Sequence, residues 1–189
     1  MQIIQNAEAI QKALERLSLV GRYKHIMDMF RSESDITKSD VFMSEYKSFY
    51  RLRLGKDLSK KYFQFMQKNK TNSALTFEAV IRHFYKEFGS VEASFSAKLL
   101  HTIQPDKPTW DQWIGKNTKI TIPPSMPGKD EQLKIAVKQY AKLIECFNEY
   151  RTSEEGKKLL RMFDKQYPNS GISDTKKVDL VLWQIREKF

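Results

Sequence analysis

Residues 129–150 read KDEQLKIAVKQYAKLIECFNEY, and one apolar stripe runs through them: Leu133, Val137, Tyr140, Ile144 and Phe147. Steps of three and four residues put these side chains on one face of a helix, whereas a half-buried strand would alternate at every second residue. The same period continues in both directions. Upstream it runs through Ile3, Ala7, Ile10, Leu14 and Leu17, then Tyr23, Met27 and Phe30 after Gly21. Phe42, Tyr46, Phe49 and Arg53 line a third stripe, with Ser39 placed to cap it and Gly55 to break it. Leu58, Tyr62 and Phe65 mark a fourth, and Phe77, Ile81, Phe84 and Phe88 a fifth. Gly89 suits the left-handed residue that ends such a helix. A sixth helix is centred on Phe95 to Ile103, closed by Pro105 and Pro108. Downstream, Thr152 or Ser153 caps a helix carrying Leu159, Leu160 and Phe163. Ser173 or Asp174 starts a final amphipathic one through Val178, Val181 and Ile185. The clear loop is 120–128, where three prolines forbid regular structure. With no βαβ alternation and no internal repeat, the pattern predicts an all-α fold, a single globular domain over 1–189 of about nine helices.

Composition narrows the function classes. The 189 residues are 40% hydrophobic and 12% aromatic, which suits a packed globule rather than a disordered chain. One cysteine, Cys146, cannot form an internal disulfide, and its apolar neighbours Leu143, Ile144 and Phe147 predict a buried, inert thiol. The N-terminal MQIIQNAEAIQKALERL lacks the pattern of a signal peptide. No stretch approaches the roughly 18 apolar residues of a spanning helix. A reducing cytoplasm and no membrane partner are therefore expected.

The seven glycines form neither a GxxxxGK[ST] nor a GxGxxG phosphate loop. His25, His83 and His101 are widely separated, so no metal site and no cofactor is predicted. A GxSxG elbow is absent as well. The charge is the strongest remaining signal. It is +10 overall, and in residues 47–70 Lys47, Arg51, Arg53, Lys56, Lys60, Lys61, Lys68 and Lys70 face only Asp57. A field of that sign attracts polyanions, which makes Arg51, Arg53, Lys56, Lys60 and Lys61 candidate nucleic-acid contacts. Two solvated helix faces would carry the same charges.

Residues 88–117, FGSVEASFSAKLLHTIQPDKPTWDQWIGKN, place a lysine on a helix and follow it with a proline-containing turn. An aspartate then stands just before a short apolar helix. This order resembles the active-site region of the helix-hairpin-helix DNA glycosylase superfamily. The C-terminal Asp174-Thr175-Lys176-Lys177-Val178-Asp179-Leu180-Val181-Leu182-Trp183 is similar to the closing helix of small bacterial proteins with that core. The resemblance implies a helix-hairpin-helix glycosylase-like fold and DNA as the partner. It also implies Lys98 as nucleophile and Asp111 as the carboxylate beside the sugar. The family hairpin carries two glycines in an LPGxG pattern, and Val91 to Phe95 has none. A less close approach of backbone to phosphate is expected there.

The chemistry fits those residue types. Cleavage of an N-glycosidic bond passes through an oxocarbenium-like transition state, which a carboxylate stabilises. A desolvated lysine attacks the anomeric carbon as an amine. An aromatic pocket holds the base once it leaves the stack, and Trp110 and Trp113, which bracket Asp111, are the candidates for it. Asp111 would equally serve as a helix N-cap, and Lys98 as a solvated helix lysine. The alternative function is a non-catalytic basic helical module binding nucleic acid or an acidic protein.

Overall fold

The computed structural model describes residue 3 and residues 7–126 and 128–186. Within them the chain forms ten α-helices, one 3-10 turn and no strand. In order they are α1 (Ala7–Arg16), α2 (Val20–Ser32), α3 (Asp40–Tyr50), α4 (Lys56–Lys68) and α5 (Phe77–Phe88). Then come α6 (Ala93–Ile103), α7 (Gln112–Thr118), α8 (Lys129–Thr152), α9 (Glu154–Gln166) and α10 (Asp174–Gln184). The expected residue 4–6 turn of the first helix and Pro127 lie outside the described residues.

Local chemistry fixes most boundaries. Ser39, Thr76, Ser153 and Ser173 each accept a backbone N–H from the first turn of the helix they precede. Gly89, at φ 70°, ends α5 in the left-handed region. Arg53 does not continue α3 as expected, because the helix stops at Tyr50. Arg51 turns left-handed there, at φ 53°, and Leu52 N–H reaches back to the Lys47 carbonyl at 2.9 Å. Leu52 is thereby buried, and its burial drives a turn that an arginine would otherwise avoid.

One continuous core joins all the helices. Its N-terminal part is aromatic, with Phe42, Tyr46, Tyr62, Phe63 and Phe84 fully buried. Tyr62 and Phe84 stack at 5.1 Å, and Tyr46 meets Phe63 edge-on at 5.6 Å. Its C-terminal part is built around α10, which packs against α1, α7, α8 and α9. That helix is not amphipathic as expected, since its residues from Thr175 to Leu182 are buried almost without a break. Cys146 faces this core from α8 and is 1% exposed. The α8–α9 junction is so tight that a Cβ at Gly156 would stand 1.8 Å from the Tyr150 carbonyl oxygen.

Candidate active site

Helix α6 follows α5 through the turn 89–92, and the two pack against each other as a hairpin. The turn holds a carboxylate. Glu92 stands at the start of α6 and accepts from the Ser90 hydroxyl at 2.7 Å. Six residues beyond Glu92, on α6, stands Lys98. Its Nζ lies 5.8 Å from the centroid of the Phe95 ring. Burial lowers the pKa of Lys98, Asp111 and Asp179 oppose that shift, and Lys176 and Arg51 reinforce it.

After α6 the chain turns through Pro105 and Pro108 and reaches Asp111, the N-cap of α7. Asp111 Oδ1 accepts from the N–H of Trp113 at 2.8 Å and of Ile114 at 3.0 Å. Both capping bonds fall on one oxygen, so Oδ2 is left for another partner. The capping reading and the functional reading of Asp111 are thus compatible.

Lys98 and Asp111, thirteen positions apart in sequence, line one cavity of about 190 Å³. Phe49, Tyr50 and Arg51 from the end of α3 enclose it on one side, and Lys176, Asp179 and Trp183 of α10 on another. An apolar cavity of about 150 Å³ holds a benzene ring. The space here therefore suits a single flat ring system.

The wall contributed by α10 is a buried ion pair. Lys176 Nζ lies 2.7 Å from Asp179 Oδ2, with side-chain exposures of 2% and 4%. Asp179 Oδ1 accepts from Thr109 N–H at 3.2 Å and from the Thr109 hydroxyl, which ties α10 to the turn leading into Asp111. Lys176 Nζ sits over the rings of Tyr23, Phe49 and Tyr50 at 4.8, 5.7 and 5.6 Å. Burial disfavours the Asp179 carboxylate, but Lys176, His101 and the Thr109 hydroxyl outweigh it and hold its pKa below the usual value.

The two candidate pocket tryptophans part company. Trp113 lines the cavity. Trp110 is fully buried in the core, donates its indole N–H to the Ile120 carbonyl at 2.8 Å, and packs on Phe77 and Tyr140. Trp110 precedes the helix and points inward, while Trp113 sits in the first turn of α7. The aromatic partner that sequence reasoning missed is Trp183, and it missed Lys176, Asp179 and Thr109 too. A usable signal was present: Asp174, Lys177 and Gln184 share one side of α10, which leaves Lys176 and Asp179 on the side of Leu182 and Trp183.

The basic segment disperses in space. Arg51 reaches the cavity. Arg53, Lys56 and Lys60 are exposed. Lys61 pairs with Glu87 at 2.9 Å beside a groove where His83 stacks on Phe65 at 3.9 Å. Among the described residues no group of His, Cys, Asp and Glu could hold a metal ion. No helix of the described residues is long and apolar enough to cross a membrane. Comparison with protein families, with curated proteins and with solved structures gave no match for this chain.

Proposed function

We propose that this protein binds DNA and removes a damaged base by cleaving its N-glycosidic bond, with Lys98 and Asp111 at the reacting sugar. The observation that carries this reading is their convergence on one small cavity, with the lysine desolvated and the carboxylate half committed to a cap. A lysine whose charge is disfavoured offers a larger fraction of free amine, which is the nucleophilic form. In the proposed step the Nζ lone pair bonds to C1′ while the C1′–N bond breaks. The departing electron pair leaves on the base, which takes up a proton. Loss of a proton from the attached nitrogen and opening of the sugar ring give a protonated imine. Asp111 faces the positive charge that develops at C1′. The departing base would occupy the cavity that Trp113 and Phe49 help to line.

A second reading, DNA binding without chemistry, draws on the exposed cations Arg53, Lys56 and Lys60, which do not line the cavity of Lys98 and Asp111. One assay separates the two. Duplexes bearing oxidised, alkylated or deaminated bases are incubated with the unmodified protein, and base release and borohydride-trapped adduct are measured. Release from at least one substrate is expected, abolished by Asp111→Asn with DNA affinity nearly intact. Lys98→Gln should eliminate the trapped adduct. No release across the panel would sink the enzymatic reading, and persisting DNA affinity would then favour the second.

A further inference from the structure

Three cations and two indoles form a continuous strip that adjoins the cavity. The guanidinium carbon of Arg51 lies 5.2 Å from the Trp183 ring centroid, and that of Arg186 lies 4.4 Å from it. Arg186 also stands 5.4 Å from the Trp113 ring, over which Lys116 Nζ sits at 4.9 Å. Trp113, Trp183 and Arg51 are at the same time cavity walls. Arg51, Lys116 and Arg186 are all exposed. Among the described residues none of the three forms an ion pair, a condition they share with other exposed cations such as Arg53, Lys56 and Lys60; what sets them apart is the indole beneath each.

That combination has a specific chemical meaning. A guanidinium resting on an indole uses its face, and the N–H groups around its edge stay free for a bidentate oxyanion. Stacking also restricts the side chain, so less rotamer freedom is lost when an anion binds. Arg51 is fixed further by its left-handed backbone at the end of α3. The hairpin turn is poorly suited to the same task, because Glu92 puts negative charge at the start of α6.

Resting on the DNA reading above, we infer that Arg51, Arg186 and Lys116, held on Trp183 and Trp113, form a phosphate clamp at the mouth of the cavity. Its occupant is the phosphodiester backbone flanking the nucleotide whose base enters. Excess positive charge is the complement of that backbone, and the cavity beside it has room for a flat ring system.

The test uses the full chain and an undamaged-sequence duplex with one tetrahydrofuran abasic analogue, which binds without being cleaved. Affinity is followed by fluorescence anisotropy from low to moderate salt. Arg186→Gln, Lys116→Gln and Arg51→Gln should each flatten the slope of log K against log salt by about 0.9, one phosphate apiece. Trp183→Leu keeps every charge and should still weaken binding by about threefold, because the guanidiniums lose their platform. Lys165→Gln, an exposed cation on α9, serves as the control and should leave the slope unchanged. Equal losses at Lys165 and at the three clamp positions would overturn the clamp in favour of a diffuse field. Unchanged slopes at Arg186 and Lys116, both exposed and safe to substitute, would overturn it outright. Base release without these slope changes removes the clamp alone. Slope changes without base release remove the excision reading alone.

Discussion

Asp111 accepts both of its α7 hydrogen bonds on Oδ1, so an asparagine in its place keeps the cap and loses only the charge. Asp111→Asn should therefore leave urea-denaturation stability nearly unchanged, while Asp111→Ala should cost about 1 kcal/mol. Equal losses for the two would mean that the carboxylate charge itself holds the fold. This separation is what makes the asparagine variant informative in the base-release assay. Lys98 and Asp111 were legible in the sequence because a lysine helix, a proline turn and an aspartate keep their order in the fold. Trp110 and Trp113 were not distinguishable there. They flank the same aspartate, and only the start of α7 at Gln112 decides which indole turns inward. Lys176 and Asp179 escaped notice for a different reason. Their partners, Tyr23, Phe49 and Thr109, are far away in the chain, and long-range pairing leaves no mark on local spacing.

At the scale of elements, His101 ties three parts together. Its Nδ1–H donates to the Lys107 carbonyl at 2.6 Å, because a carbonyl can only accept. Nε2 must then accept from the Tyr23 hydroxyl at 3.1 Å, joining α6 to α2 and to the turn before Asp111. Burial, with the nearby Lys176 charge, pushes its pKa down from 6.5 to about 4. The unfolded chain binds more protons between those values, so stability falls as pH drops through 6.5 and the loss is complete below about 4. The shift corresponds to roughly 3 kcal/mol. Urea titrations from pH 7 to pH 4 should show that decline, and His101→Gln should flatten it. The same decline in both proteins would assign it to other groups. Asp179 acts in a lower window: with its pKa held below 3.8, its contribution fades only as pH falls through the depressed value. The elements themselves were largely readable. Caps at Ser39, Ser153, Ser173 and Gly89 lie where the sequence pattern puts them. The end of α3 was not, because its stop signal is the burial of Leu52 rather than a glycine.

Over the whole molecule, the +10 charge is distributed rather than gathered into one face of the 47–70 segment. Lys61 is paired with Glu87, and Lys70 donates to the carbonyls of Arg31 and Glu33 at the C-terminal end of α2. Among the cations of that segment Arg51 alone lines the cavity, where Arg186, just past α10, and Lys116 of α7 stand alongside it. Periodicity reports which residues are buried within a helix, and so gave the all-α class. It does not report which helices meet, and the cavity is made entirely of such meetings. Cys146, on α8, is buried in the core that these meetings build. Burial also pushes its thiol pKa up. The molecule therefore carries its own unfolding clock. With excess Ellman's reagent, the native protein should release chromophore at the rate at which the helices part, far slower than a free thiol. That rate should climb with urea in step with the loss of helical ellipticity. Immediate colour in native buffer would mean that α8 opens locally. A slow and cooperative release would time the opening of the whole core, with no engineered probe in the chain.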